Sequence, residues 1–209
     1  MKYHIMKKIN KNFSFIFFLF FIFSEVDSRI VDTIEALQDK KIGKDNADIK
    51  MVEFASLTCG HCAKFHNEVF PKLKEEFIDT GKILFTYKDF PLDMPAMLAA
   101  MVTNCYKGEQ FHIILNSLFR NQKKWVSAAN NKEDLYKAFH QILKQYGISL
   151  EQIKVCTEEN EANKNKWDFI LSSRLEGQKL GVNSTPSFFL NGKKLEGSVD
   201  LQMILKYIY

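Results

Sequence analysis

The sequence predicts an α/β fold in which an all-helical stretch separates a βαβ unit from a C-terminal β-hairpin and helix. Two short runs rich in apolar, aromatic and β-branched residues, Ile49–Ala55 and Ile83–Phe90, flank a stretch of helical periodicity. Between 93 and 181 the apolar spacing is helical throughout. The dipeptide Asn191-Gly192 then follows a third apolar run, and Asn-Gly between strands is the strongest short hairpin signal.

The first strand is followed by a helix with an inward-facing apolar stripe. The stripe consists of Phe65, Val69, Leu73 and Phe77. Pro71 inside this pattern predicts a kink. A strand, a helix and a second strand form a βαβ unit, which implies a parallel pair. The stretch Thr58–Ala63 lies at the carboxyl end of the first strand, where the chemical sites of open α/β sheets collect.

Four or five helices are predicted in the central region. They cover Met94–Cys105, Glu109–Phe119, Glu133–Tyr146, a segment capped by Ser149, and Glu161–Leu180. Trp125 and Trp167 are predicted to be core residues of this region rather than peptide-binding ones. A hairpin at 185–197 and a helix at 199–209 complete the order.

Residues 1–28 have the layout of a secretory signal peptide. Lysines precede an apolar run at 13–23, which is shorter than the roughly 20 residues that a spanning helix requires. An uncleaved membrane anchor stays open, because no clean small-x-small cleavage site follows. Without these residues the chain has 25 basic and 23 acidic residues, a net charge of +2, which gives no support to nucleic-acid binding. Export places the cysteines in an oxidising compartment.

The stretch Thr58–Ala63 contains two cysteines three positions apart. A zinc site needs four ligands, and His61 between the cysteines cannot readily close a site with both. A purely structural disulfide is disfavoured because so short a loop gains little from closure. A cysteine in the first turn of a helix faces unpaired N–H groups, which favours its thiolate. We therefore predict a redox dithiol with Cys59 as nucleophile, Cys62 as resolving thiol and His61 as a further stabiliser of the Cys59 thiolate.

Glu53 lies on the strand before this motif, where a parallel-sheet strand is normally apolar on both faces. A buried carboxylate at this place would accept or deliver the proton of Cys62 during thiol exchange. The alternative is a strand-end glutamate that reaches solvent. His66 and Lys64 are predicted to lie on an exposed helix face.

Three features together resemble the DsbA family of thiol:disulfide oxidoreductases over residues 39–209. They are Val52-Glu-Phe-Ala-Ser-Leu-Thr-Cys-Gly-His-Cys62, the helical insertion, and Thr185-Pro186 before a Phe-Phe-Leu-Asn-Gly hairpin. The resemblance implies a thioredoxin-like fold with an all-helical insertion. It assigns 29–92 to an N-terminal arm and the first part of the thioredoxin domain, 93–181 to the insertion and 182–209 to the second part.

The resemblance also implies site residues. A cis-proline at Pro186, preceded by Thr185, is expected to face the dithiol, and an acid is expected at Glu53. The dipeptide Gly60-His61 departs from the Pro-His often seen in strongly oxidising members and matches the Gly-His of eukaryotic disulfide isomerases. The reduction potential is therefore expected between roughly −120 and −180 mV, the values of those two systems.

Cys105 and Cys156 form the second candidate pair, within the helical insertion. Two free thiols in an oxidising compartment would be substrates of the protein's own dithiol, so we predict a disulfide between them. Closing a loop of this length contributes on the order of 4 kcal/mol in the chain-entropy model. Two buried, reduced cysteines are the alternative. A regulatory effect of the bridge on the active-site potential is a hypothesis.

Taken together, the sequence predicts an exported, periplasmic dithiol oxidase that donates its Cys59–Cys62 disulfide to folding secreted proteins through a mixed disulfide on Cys59. Its expected partners are unfolded or partly folded exported proteins with free thiols and, by family analogy, a DsbB-type membrane reoxidant. No cofactor and no metal are expected. The arm at 29–48 is too short for a dimerisation domain, so a monomer is expected. A disulfide isomerase or reductase, or a metal-binding chaperone module, remain alternatives.

Overall fold

The computed structural model of the chain describes residues 40–197 and 200–208. The predicted signal peptide at 1–28 and residues 29–39 of the predicted arm lie outside this range. A mixed five-stranded sheet runs through the described residues in the order β1-β3-β2-β4-β5. Its strands are β1 (Lys41–Ile42), β2 (Ile49–Ala55), β3 (Ile83–Asp89), β4 (Ser187–Leu190) and β5 (Lys193–Lys194).

The central strand β2 pairs in parallel with β3 and antiparallel with β4. Its register with β3 runs from Ile49 opposite Ile83 to Ala55 opposite Asp89. β4 turns into β5 through Asn191 and Gly192, which have φ values of 46° and 80°. Positive φ at both central residues is what the predicted tight hairpin requires.

Strand β1 lies inside the region that the sequence pattern assigned to an arm. It pairs antiparallel with β3 at the edge of the sheet. Lys40, just before it, forms a buried ion pair with Asp89 at the end of β3. A two-residue strand carries no periodicity of its own, so pairing with β3 creates it.

Helix α1, at 60–78, alternates between α- and π-helical turns. Its segments are Gly60–Lys64 (α), Phe65–Val69 (π), Phe70–Leu73 (α) and Lys74–Ile78 (π). Pro71 lies in the first turn of the third segment and has no N–H for the carbonyl four residues earlier. Wider turns flank it, and the Phe70 N–H bonds to the Phe65 carbonyl, five residues back. The helix is therefore irregular on both sides of Pro71, while the predicted kink itself stays a prediction.

The other helices lie mostly between β3 and β4. They are α2 (Met94–Thr103), α3 (Gly108–Arg120), α4 (Gln122–Ser127), α5 (Lys132–Leu143), α6 (Leu150–Thr157), α7 (Glu161–Lys179) and, after β5, α8 (Leu201–Ile208). Ser149 caps α6 in a capping box with Gln152. The sequence pattern did not predict α4. The predicted α/β fold with an all-helical insertion is confirmed.

One buried apolar cluster extends from the sheet and α1 into the helical insertion. It includes Met51, Phe85, Phe119, Trp125 and Phe139. Trp125 is fully buried, as predicted, whereas Trp167 is only partly buried and packs on a smaller cluster around Met97 and Ile170. On the opposite face of the sheet, Phe54 and Phe90 pack against α7.

Cys105, in the turn after α2, and Cys156, in α6, are joined by a disulfide, with 5.9 Å between their Cα atoms. The bridge closes a loop with a sequence separation of 51. Within 40–197 and 200–208, no helix is both long and apolar enough to cross a bilayer.

Candidate active site

The cysteine motif lies where β2 ends and α1 begins. Cys59 is the N-cap of α1, with extended backbone angles, and its Sγ accepts a hydrogen bond from the Cys62 N–H at 3.4 Å. The side chain of Gln122 on α4 donates to the carbonyl oxygens of Leu57 and Cys59, each at 2.8 Å. The helical insertion therefore anchors the loop that presents Cys59.

The two sulfurs of the motif differ strongly in acidity. The pKa of Cys59 is lowered to about 5, first because the Cys62 thiol hydrogen-bonds to its sulfur, and further by the backbone N–H groups of Cys62 and His61. Partial burial of Cys59 acts in the opposite direction. The pKa of Cys62 is raised, mainly because its side chain is buried, and also by Cys59 and the carboxylate of Glu53. Cys59 is therefore the thiolate and Cys62 the thiol in the reduced protein.

His61 differs in part from its predicted role. Its side chain is exposed, and its contribution to the low pKa of Cys59 comes from the backbone N–H. This is the free N–H of a first helical turn, which any residue at this position provides.

Thr185, which precedes Pro186 in the loop before β4, contacts the motif. The Thr185–Pro186 peptide bond is cis, as the family resemblance implied. Sγ of Cys59 lies 3.2 Å from the Thr185 carbonyl oxygen, to which it donates a hydrogen bond only in its protonated form. The Thr185 hydroxyl is buried without a hydrogen-bond partner. Residues more than 120 positions apart thus meet at the sulfur of Cys59.

Glu53 is fully buried on β2, so the solvent-reaching alternative is wrong. Its Oε2 lies 2.9 Å from Nε2 of His66, and its Oε1 has no hydrogen-bond partner. His66 is itself only 5% exposed, so the prediction that it lies on an exposed face is also wrong. It follows Cys62 by four residues and precedes Phe70 by four, and this spacing is the signal that would have placed it on the buried face. Lys64 is exposed, as predicted.

Two further side chains from α3 complete the environment of His66. Phe119 stacks on the imidazole, with 4.2 Å between ring centroids and 13° between planes. The Oδ1 of Asn116 lies 3.2 Å from His66 Nδ1. Neither residue was singled out from the sequence, because nothing in the pattern of α3 distinguishes these positions from ordinary helix residues.

A cavity of about 750 Å³ lies in the helical insertion, away from the motif residues. Its lining is mostly apolar and includes Met94, Leu98, Leu135 and Trp167. None of the motif residues lines it, so size alone does not locate the chemistry of this protein. In the part of the chain that the structure describes, no group of three or more His, Cys, Asp or Glu side chains is arranged to hold a metal ion.

Comparison with known proteins supports this reading of the site. Residues 35–209 match the family described as Thioredoxin. A Rickettsia typhi relative named as a protein-disulfide oxidoreductase is 32% identical over 168 residues, 78% of this chain and 58% of that protein. A Bacillus anthracis relative named as disulfide bond formation protein D is 30% identical over 160 residues, 73% of this chain and 70% of the relative. The chain thus spans less than two thirds of the length of the first of these relatives.

Among solved structures, alpha-DsbA1 of Wolbachia pipientis matches with a TM-score of 0.70 at 33% identity, covering 81% of this chain and 88% of that chain. Unequal acidity of two cysteines, opposite a cis-proline on a thioredoxin-like sheet, is typical of thiol–disulfide exchange proteins. The chain belongs to the thioredoxin family, among its DsbA-like members.

Proposed function

We propose that this protein is an exported dithiol oxidase that donates its Cys59–Cys62 disulfide to folding proteins. The observation that carries the proposal is the acidity of Cys59, whose pKa is about 5. A thiolate stabilised in this way favours the reduced protein over the disulfide form. The disulfide form is then a stronger oxidant than it would be with an ordinary cysteine pKa.

The reaction begins at the more accessible of the two sulfurs. A substrate thiolate attacks Sγ of Cys59, which is half-buried, rather than Cys62, which is buried. The Cys59–Cys62 bond breaks, a mixed disulfide forms at Cys59, and the electron pair and a proton go to Cys62. A second substrate thiolate then attacks the substrate sulfur and displaces Cys59 as a thiolate. The substrate loses two electrons and two thiol protons; one of these protons is balanced by the proton that Cys62 gains, the other goes to solvent, and the protein leaves reduced.

Thr185 and Pro186 supply the place where an extended substrate binds. The Thr185 carbonyl oxygen lies 3.2 Å from Sγ of Cys59. Neither the thiolate nor the disulfide form of Cys59 has a proton for this carbonyl, so it is open to a substrate backbone N–H, in the manner of strand addition. Recognition through the backbone suits unfolded or partly folded proteins of varied sequence.

The setting of this reaction is proposed from the predicted signal peptide and from the names of the relatives. We place the protein in the periplasm as a monomer, with a DsbB-type membrane protein as its reoxidant. The Bacillus anthracis relative is named for disulfide bond formation, which is the direction that an oxidase drives.

The test is the equilibrium reduction potential of the Cys59–Cys62 pair, titrated against glutathione in the chain without residues 1–28. A potential above about −200 mV is expected, since glutathione-range thiols are then oxidised by the protein. A potential near −270 mV, roughly that of thioredoxin, would indicate a reductase and overturn the proposal. The Cys59→Ser variant is the control and shows no such transition.

Disulfide isomerisation is the second candidate, because the dipeptide Gly60-His61 matches that of eukaryotic isomerases. Two assays separate the functions. An oxidase in its disulfide form oxidises a reduced dithiol peptide faster than its reduced form rearranges a substrate with mispaired disulfides. The reverse order of rates favours the isomerase.

A further inference from the structure

Lys166 on α7 brings a cation to the second cysteine pair of the chain. Its Nζ lies 2.9 Å from Sγ of Cys105, 3.0 Å from Oδ1 of Asn163 and 3.3 Å from the Cys156 carbonyl oxygen. These three acceptors match the three N–H donors of an ammonium group. All three are uncharged, and burial lowers the pKa of Lys166. A half-buried ammonium of this kind is stabilised by any negative charge that forms beside it.

Asn163 fixes the position of this amine. Its side-chain NH₂ donates to the carbonyl oxygens of Val155 and Glu158 at 2.7 and 2.9 Å, so its Oδ1 is turned toward Lys166. Asn163 is itself buried. The end of α6, which carries Cys156, thus holds the lysine beside the disulfide.

Both cysteines of the bridge lie at the carboxyl ends of helices. Cys105 follows α2, with its N–H bonded to the Val102 carbonyl oxygen at 3.2 Å, and Cys156 is in the last turn of α6. The carboxyl end of a helix carries partial negative charge, which disfavours a thiolate. These helix ends therefore do not provide the stabilisation that Cys59 receives from the first turn of α1. Lys166 provides it to Cys105 instead.

Cys105 is also the more accessible sulfur of the pair. It is partly exposed, whereas Cys156 is only 6% exposed. An incoming thiolate therefore meets Cys105 first, next to the ammonium of Lys166. A cation at this place stabilises the negative charge that is spread over three sulfurs during exchange, and it stabilises Cys105 when that residue becomes a thiolate.

We propose that Cys105, Cys156 and Lys166 form a second thiol-exchange site, at which a low-molecular-weight thiol reduces the bridge. A thiolate of this compound attacks Sγ of Cys105, the Cys105–Cys156 bond breaks, and the electron pair and a proton go to Cys156. A second thiolate attacks the sulfur of the bound thiol and displaces Cys105 as a thiolate beside Lys166.

Electrons and protons balance in this exchange. Two thiols are oxidised to one disulfide, and the bridge gains two electrons. Of the two thiol protons that are lost, one is balanced by the proton on Cys156 and the other goes to solvent. Reduction removes the covalent link between the end of α2 and α6. The site goes beyond the proposed oxidase function and does not depend on the exchange at Cys59.

The experiment measures how much of the Cys105–Cys156 bridge is reduced at equilibrium with mixtures of reduced and oxidised glutathione at pH 7, in the full chain. Thiols are alkylated after quenching, and mass spectrometry of the separate peptides distinguishes this pair from Cys59–Cys62. Lys166→Gln removes the charge but keeps hydrogen-bonding groups. We expect its equilibrium constant for reduction to fall about tenfold, or roughly 30 mV for a two-electron couple, because the ammonium no longer stabilises the Cys105 thiolate.

Two matched variants separate charge from packing. Lys166→Arg keeps the charge, and its equilibrium constant is expected to stay within about threefold of that of the unsubstituted protein. Lys164→Gln removes an exposed charge from the same helix and is expected to change the constant by less than about twofold. An unchanged constant in Lys166→Gln, equal losses in the two Lys166 variants, or an equal loss in Lys164→Gln would overturn the proposal.

A measurement on the unsubstituted protein covers the case in which Lys166→Gln does not fold. We expect glutathione mixtures to reduce the bridge, whereas structural disulfides of secreted proteins resist the glutathione pool. Brief treatment is expected to leave the mixed disulfide on Cys105. A bridge that stays oxidised throughout, or an adduct on Cys156 instead, contradicts the proposal. These readouts concern the second pair alone, so they keep their meaning even where the Cys59–Cys62 potential rejects the oxidase function.

Discussion

At the scale of single residues, Cys59 and Cys62 show how one helical turn separates two identical side chains. Cys59 caps α1 and receives hydrogen bonds from the thiol and backbone of that turn, whereas Cys62 is buried one turn further on, near the Glu53 carboxylate. The low pKa of Cys59 stabilises the reduced folded protein. This contribution is fully present above the ordinary value of 9.0, shrinks as the pH falls, and is lost below about pH 5.

The contact with Cys62 has the largest effect on Cys59, and this predicts the outcome of replacing it. We expect the Cys59 pKa, about 5 in the reduced protein, to rise in Cys62→Ala because the main hydrogen bond to the thiolate is lost. Cys62→Ser keeps a hydroxyl donor at the same place and should raise it less. The measurement is the pH dependence of thiolate absorbance or of alkylation by iodoacetamide. Equal values in the two variants would mean that the backbone N–H groups of the helix terminus, not the Cys62 donor, control the acidity of Cys59.

At the scale of elements, α1 and α7 show how local geometry serves the site and the sheet. The π-helical turn Phe65–Val69 follows the motif directly, and His66 lies in it with its ring turned into the core. Helix α7 crosses the other face of the sheet at Gly177. A Cβ atom there would lie 2.9 Å from Phe54 and 3.0 Å from Phe90. Because Gly177 has no side chain, helix α7 can lie this close to the rings of Phe54 and Phe90.

This contact predicts that Gly177→Ala destabilises the protein. Overpacking against two aromatic rings costs about 1–3 kcal/mol, while alanine recovers about 1 kcal/mol of helix propensity. We expect a net loss of up to about 2 kcal/mol in the free energy of unfolding. Denaturant unfolding measures it, with Gln178→Ala, an exposed neighbour on α7, as a control expected within about 0.5 kcal/mol of the unsubstituted protein. A Gly177→Ala variant more stable than the unsubstituted protein would show that the rings move aside freely.

At the scale of the whole molecule, the helical insertion is part of the site. Gln122 on α4 anchors the loop of Cys59, and Asn116 and Phe119 on α3 hold His66. The insertion also carries the Cys105–Cys156 bridge, whose role remains a prediction. Variants that destabilise the helical insertion are therefore expected also to change the reactivity of Cys59 and Cys62.

The Cys105–Cys156 disulfide is expected to make a measurable contribution to the free energy of unfolding. Replacing both cysteines with serine is expected to lower the free energy of unfolding by about 4 kcal/mol in the chain-entropy model, or roughly 8–16 °C in Tm for a chain of this size. Calorimetry measures Tm, and glutathione titration measures the Cys59–Cys62 potential. Replacing both with alanine is the control for burying a hydroxyl at Cys156. An unchanged Tm would contradict a structural role for the bridge. An unchanged Cys59–Cys62 reduction potential would contradict a regulatory role.

Local patterns in the sequence were sufficient to predict much of this protein. The strand Ile49–Ala55, the Asn191-Gly192 hairpin and the main helices follow from periodicity and turn chemistry, which neighbouring residues decide among themselves. The cysteine spacing likewise predicted which sulfur would be the thiolate, since the first turn of any helix has unpaired N–H groups.

Only the tertiary structure decided the rest. β1 exists because β3 has a free edge, and α4 is too short to show a periodic pattern. The spacing of His66 from Cys62 and Phe70 is a helical signal for burial, but its stacking partner Phe119 on α3 cannot be read from the sequence. The sequence by itself thus determined the longer helices, the main strands and the reactive pair. The environment that sets their chemistry required the tertiary structure, because hydrogen bonds and burial between residues distant in the chain leave no periodic signal.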